Sequence, residues 1–206
     1  MPSEPGTIFT VGHSTHSIEA FLALLATHGI TAVADVRSVP ASRFTPQFNQ
    51  RPLHASLDRA GVRYVSLGRE LGARPDDRSC YRDGQVQFER LSQRTAFAEG
   101  IQRLLTGRHT GRIAVLCTEQ EPLDCHRTIL VSEALARAGA SVVHIHGDGR
   151  LEAHDDAIHR LMVTFGLDQP DLFRDDSDRR TEALSRQERR IAYVDQAEPA
   201  AQAAGE

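Results

Sequence analysis

The sequence predicts a single α/β domain over residues 1–166, with a mainly parallel open sheet of about five strands and helices on both faces, and a polar extension over residues 167–206. Three observations predict it. Short apolar runs of strand type alternate with stretches of helical apolar spacing, the pattern of strand–helix–strand crossovers. A length of 206 residues suits one hydrophobic core and is short for two. From about Leu167 the composition shifts to Asp, Arg, Gln and Ala.

Thr7 to His13 reads as a buried strand that ends on glycine. Ile18, Phe21, Leu22 and Leu25 follow at helical spacing, with Ser17 as cap and Gly29 as stop. ITAVADVRSVP returns to a short strand that ends at Asp35 to Arg37, and Pro40 blocks further pairing. After an irregular stretch, a helix covers about Pro52 to Ala60 and Gly61 closes it; Val62 to Gly68 is the third strand. Arg69 to Val86 reads as a long loop, either solvated charge or a lid. A helix runs from about Phe88 to Leu105 and stops at Gly107. Arg112 to Glu119 is the most apolar strand, QEPLDC a tight connector with Asp124 as helix cap, and HRTILVSEALARAG a strong helix. Ser141 to Gly149 is the fifth strand and LEAHDDAIHRLMVTFG a final amphipathic helix. In the extension a short helix around Thr181 to Tyr193 docks back, and the last residues, from Asp195, read as disordered.

All 24 basic residues are arginine, which excludes a Schiff-base lysine and a Walker-type lysine. An anion site must therefore use arginine forks, backbone N–H groups or histidine. A net charge of -4 gives no electrostatic case for general nucleic-acid or anionic-membrane binding, although a local basic patch stays open. Three cysteines, Cys80, Cys117 and Cys125, are too few and of the wrong parity for a disulfide framework. No apolar run approaches membrane-helix length, and the opening residues lack the basic and apolar stretches of a signal peptide. The cytoplasm is the expected compartment, with no membrane partner.

In open α/β sheets ligands sit at the carboxyl ends of the strands. Those ends supply His13 and Ser14, then Asp35, Arg37 and Arg43, then Glu70, then Cys117, Glu119, Cys125, His126 and Arg127, then His144, His146 and Asp148. The strongest segment is CTEQEPLDCHR, because Cys125, His126 and Arg127 open a helix whose free N–H groups favour an anion or a thiolate. Three readings compete. In the favoured one, His13, Ser14, Arg37, Arg43, Cys125 and Arg127 bind a phosphate-bearing or nucleotide-like substrate while Glu119, Asp35 or His126 moves protons. In the second, Cys117 or Cys125 attacks as a nucleophile. In the least favoured, Cys117, Glu119, Cys125 and His126 hold a metal; a cysteine spacing of eight is not a zinc pattern, and adjacent Cys and His rarely both reach one ion. No cofactor is expected. The bland alternative makes Cys117 and Cys125 inert core residues, Asp35 and Arg37 a salt bridge, and the polar edge a cap on the sheet. His144 and His146 are left outside the site as structural residues.

The segments TVGHST, DVRSVPASRFTPQFN, GRELG, VLCTEQEPLDCHR and VVHI, in that order, resemble the domain of unknown function family 488 over about Thr7 to Ile145. The RRIAY segment is similar to an extension of longer members. The resemblance implies an intracellular bacterial or archaeal protein and brings no established activity. It puts hallmark positions on Gly12, His13, Ser14, Asp35, Arg37, Pro40, Ser42, Arg43, Phe48, Glu70, Leu71, Gly72, Cys117, Glu119, Cys125, His126 and Arg127. The expectation is an enzyme, a hydrolase or transferase, with a non-catalytic nucleotide-, nucleic-acid- or metal-binding module as the alternative.

Overall fold

The apolar runs build one sheet, seen in a computed structural model that describes residues 6–170 and 172–195. The strands are β1 (Ile8–Gly12), β2 (Ala32–Asp35), β3 (Arg63–Ser66), the two-residue β4 (Tyr81–Arg82) and β5 (Gln85–Val86), β6 (Ile113–Cys117), β7 (Val142–Ile145) and β8 (Leu151–Ala153). The helices are α1 (Ile18–Thr27), α2 (Gln50–Arg59), α3 (Gly68–Leu71), α4 (Phe88–Ser92), α5 (Thr95–Gly107), α6 (Glu133–Arg137), α7 (His154–Thr164) and α8 (Asp176–Ile191). Six strands form the main sheet in the order β3-β2-β6-β1-β7-β8. The five anticipated strands are parallel, and β8 adds an antiparallel edge beside β7. With three residues after a tight turn, β8 is too short to show an alternating pattern.

Every residue of β1 and β6 is buried, as expected of central parallel strands covered on both faces. Phe9, Val11, Ala114 and Leu116 pack with α1 and α2 on one face, through Phe21, Leu25, Leu53 and Leu57. Ile113, Val115 and Cys117 turn to the other face, where α5, α6, α7 and α8 lie. From β1 the chain leaves toward β2, and from β6 it leaves the opposite way toward β7. The strand order therefore switches between β1 and β6, which opens a crevice at their carboxyl ends. The register sets Gly12 beside Cys117 there.

Local chemistry explains the element ends. Ser17 accepts from Ala20 N and caps α1, and Gly29 ends it with φ +62°. The long loop is more ordered than its composition suggests: it contains α3 and the β4–β5 hairpin, turned by Asp83 and Gly84 at positive φ. The helix expected from Phe88 to Leu105 is two helices, broken where Arg94 adopts an extended ψ of 140°. Leu91 and Phe97 still bury on the same side, so the apolar spacing runs through the break. In the extension α8 has 16 residues, starts earlier than expected, and opens with a reciprocal Asp175–Asp178 cap. Ala183 and Leu184 bury its inner face. The expected disorder at the end of the chain falls, beyond Asp195, outside the described residues. Among the described residues no helix is long and apolar enough to cross a membrane.

Between the sheet and α7 runs a buried polar relay. Glu133 can only accept, so His154 Nε2–H donates to its Oε1 at 3.1 Å. His154 Nδ1 then accepts from His144 Nε2–H at 3.1 Å, and His144 Nδ1 accepts from the Thr10 hydroxyl at 2.7 Å. Arg180 of α8 closes the relay on Glu133 at 2.7 Å. Burial holds the His144 imidazole well below its ordinary value. Burial opposes the Glu133 carboxylate, but His154 and Arg180 outweigh it and hold its carboxyl below the ordinary value. On acidification the unfolded chain therefore binds protons first at both groups. Stability is complete above the ordinary histidine value of 6.5 and falls below it, with Glu133 adding its loss below 4.5. The unfolding midpoint should fall from about pH 7 to about pH 5. The variant His144→Asn should flatten that slope; equal slopes in the two proteins would show that the relay does not titrate this way.

Candidate functional site

At the end of β6 the chain must reverse to enter the next helix. Thr118 to Gln120 cross over the end of β1, and a turn at Pro122–Asp124 brings Cys125 back beneath the strand end. The crossing is close: a β-carbon on Gly12 would lie 1.8 Å from the Glu119 carbonyl oxygen. Only glycine fits there. Cys125 is extended (φ −139°, ψ 140°) while His126 is already helical (φ −59°, ψ −24°). That change of backbone between neighbours lets both side chains reach one point, against the expectation drawn from their adjacency. The helix begins with a wide turn over Arg127–Ser132, buried throughout. Asp124 does not cap it; its carboxylate accepts from Gln187 of α8 at 3.2 Å instead.

Four reactive groups meet at this point. The Cys117 and Cys125 thiols both donate to Glu119 Oε2, each at 3.0 Å. His126 Nδ1 lies 3.7 Å from Cys117 Sγ and 3.9 Å from Cys125 Sγ. His126 Nε2–H donates to the Val36 carbonyl at 3.2 Å, so the neutral ring keeps its lone pair on Nδ1; burial opposes the charged ring, but Cys125 and Glu119 outweigh it and push the imidazole up. Both sulfurs are buried, 4% and 2% exposed, whereas Glu119 reaches solvent and His126 is half-buried. Desolvation of its inner end, with Cys125 beside it, pushes the Glu119 carboxyl up. A hydrogen bond toward Cys125 and burial push the Cys117 thiol well up. Burial also opposes ionisation of Cys125, but Cys117, Arg127 and His126 together hold its thiol well down.

Arg127 braces the crossing. It is fully buried, and its Nη1 and Nη2 donate to the Glu119 carbonyl and, at 3.1 Å, to the Gln120 carbonyl. Its backbone N–H points at Cys125 Sγ at 3.4 Å. A second arginine sits one layer away. Arg37 grips Asp35 with two parallel bonds, Nε to Oδ1 at 2.9 Å and Nη2 to Oδ2 at 2.6 Å, and also donates to the Phe48 carbonyl. Its Nη1 donates to His13 Nε2 at 3.0 Å. Burial, with Arg37 beside it, holds His13 down at about 4, so its Nε2 is a lone pair at neutral pH. His13 stacks on Phe48 with ring centroids 4.3 Å apart.

The structure thus brings Cys117, Glu119, Cys125, His126 and Arg127 together, with Asp35, Arg37 and His13 behind them. Ser14 joins through its backbone: with φ 45° it donates its N–H to the Thr118 carbonyl. Arg43 is not drawn in; it is exposed, with its guanidinium 4.7 Å over the Phe44 ring. His144 belongs to the relay, and His146 pairs with Glu152 at 2.8 Å. Glu70 pairs with Arg103. Sequence reasoning missed Tyr64, whose hydroxyl donates to Asp35 Oδ2 at 2.9 Å across the β2–β3 pair. A phenol on the strand next to a buried carboxylate was the available signal. A cavity of about 880 Å³ opens at the amino ends of β2 and β6, beside Arg63, Arg108 and Arg112; its lining holds no carboxylate, thiol or imidazole.

Removing one side of the buried Asp35–Arg37 pair leaves an uncompensated charge. Arg37→Met should cost about 3–5 kcal/mol of unfolding free energy, and Asp35→Asn in the same chain should recover part of it. Denaturant unfolding of the single and double variants checks this; a double variant as unstable as the sum of the singles would show that the pair is not coupled.

No curated protein and no solved structure matches the chain. The family model that matches covers residues 17–134, which include Asp35, Arg37 and the whole Cys117–Arg127 segment but not Gly12, His13 or Ser14. With more than half of its length matched, the chain belongs to the family described as Domain of unknown function DUF488.

Proposed function

We propose that the chain is an enzyme acting on a small phosphate-bearing or nucleotide-like substrate, with its reaction centre at Cys117, Glu119, Cys125 and His126. The observation that carries the reading is the convergence of two thiols, a carboxylate and an imidazole on one point at the switch in strand order. Glu119 is the group placed to transfer protons. It faces solvent, and its carboxyl is raised toward the working pH of a general acid or base. The buried sulfurs lie beneath it, so an entering substrate meets Glu119 and His126 first, and this favours acid–base work over direct attack by sulfur.

The arginines divide the labour. Arg37 and Arg127 give most of their donors to internal acceptors, and act as positioning residues together with Asp35 and His13. Arg43 pairs with no carboxylate among the described residues, and it is the guanidinium we assign to the substrate's phosphate. Phe44, 79% exposed beside it, offers a ring on which a base can stack. With water as the acceptor the reaction is a hydrolysis, and with a second substrate a transfer.

A thermal-shift screen over nucleotides and sugar phosphates tests the reading. One class should raise the unfolding midpoint with the logarithm of its concentration. Arg43→Ala should weaken that shift, whereas Glu119→Gln should keep it and lower turnover by about a hundredfold or more. No shift from any of these compounds, or full turnover in Glu119→Gln, would overturn the assignment.

A further inference from the structure

We infer that this cluster is a metal centre in which Cys117 Sγ, Cys125 Sγ and His126 Nδ1 hold a zinc-type divalent ion and leave its fourth position open to water or substrate. The inference deepens the reading above, and the catalytic use of the ion rests on that reading; the binding of the ion does not. The three ligand atoms all lie within 4.8 Å of one another. Bonds of about 2.3 Å to sulfur and about 2.0 Å to nitrogen make the sulfur–nitrogen edge of a tetrahedral site about 3.5 Å. The observed edges are 3.7 and 3.9 Å, a small contraction away.

The orientation of the groups supports this. The two sulfurs and His126 Nδ1 face one another, and Glu119 Oε2 lies 3.0 Å from each sulfur. His126 Nε2–H is held by the Val36 carbonyl, which turns Nδ1 toward the sulfurs at 3.7 and 3.9 Å. A cation among these three atoms would replace the long sulfur–nitrogen contacts with bonds. The bond to Val36 is also the outer support that metal-bound histidines show, where the far nitrogen donates to a carbonyl and holds the ring in place.

Charge points the same way. The Arg127 guanidinium is fully buried, its Nε has no partner, and no carboxylate pairs with it among the described residues. Its backbone N–H meets Cys125 Sγ as it would meet a thiolate. Two thiolates and Glu119 carry three negative charges; Arg127 and a divalent ion carry three positive ones. Two soft sulfurs and an imidazole select zinc, or cobalt in its place, over magnesium and calcium. On binding, two S–H protons leave for water, two sulfur–metal bonds form, and no electron is transferred. Glu119, exposed to solvent and bonded to both sulfurs, stands beside the open fourth position.

The test uses the full chain, purified under reducing conditions without chelator. Mass spectrometry should find about one zinc per chain. Adding cobalt(II) to metal-free protein should give the charge-transfer band of a cobalt–thiolate bond and the intense visible bands of a tetrahedral site, with release of about two protons. Cys125→Ser and His126→Ala should each weaken cobalt binding by about a hundredfold or more. Should either variant fail to fold, the wild-type titration alone decides. Folded, reduced protein that retains no zinc and shows no charge-transfer band overturns the inference. Turnover unaffected by metal removal would sink the catalytic use of the ion and leave the enzyme, whereas bound zinc with no response to any phosphate compound would leave the ion and sink the enzyme reading.

Discussion

The carbonyl oxygen of Glu119 lies where a β-carbon on Gly12 would have to stand, and a fully buried guanidinium holds it there. Much of the site follows from that crossing. Because β6 is the neighbour of β1, the loop leaving β6 must pass over the end of β1 before entering the helix on the far face. A side chain at Gly12 would lift the loop, and Glu119 would then lose its place over the two thiols. Arg127 locks the same carbonyl from the helix side, so strand, loop and helix share one fixed point. The chemistry-bearing residues need no flexible segment to find one another.

Arg37 and Arg127 look alike in composition and differ in consequence. Arg37 is neutralised by Asp35, and its remaining donors fix the Phe48 carbonyl and His13. A buried ion pair of this kind adds little net stability over a well-packed apolar pair, but it orients what it touches. Arg127 has carbonyl dipoles and no carboxylate among the described residues. Burying such a cation is costly unless countercharge stands close by. Cys125 is the nearest source of it: against burial, Cys117 first and then Arg127 and His126 hold its thiol down.

Much of this was legible in the sequence. The five parallel strands and the gathering of Asp35, Arg37, Cys117, Glu119, Cys125, His126 and Arg127 follow from alternating apolar runs and from what stands at each strand end, whereas the strand order and its switch do not. Other features were not. The wide turn after His126, the extended backbone of Cys125 and the break at Arg94 are choices of a single dihedral, which apolar spacing does not register. Asp83–Gly84 did carry a hairpin signal, obscured by the charged residues around it. The roles of the arginines were hidden for another reason. A sequence shows that a guanidinium stands near a cluster of reactive residues, but not that backbone carbonyls have already taken some of its donors.

That last point changes what kind of site this is. Arg43 is exposed, with its guanidinium over Phe44 and no carboxylate partner among the described residues. An arginine buried against backbone carbonyls is part of the frame, and its charge acts on what the frame encloses. Here the frame encloses two sulfurs, a carboxylate oxygen and an imidazole nitrogen. Apolar residues of similar volume would fill the same space without a buried cation, and would pack at least as well. Packing alone therefore does not account for this arrangement, and the ion we infer at its centre would.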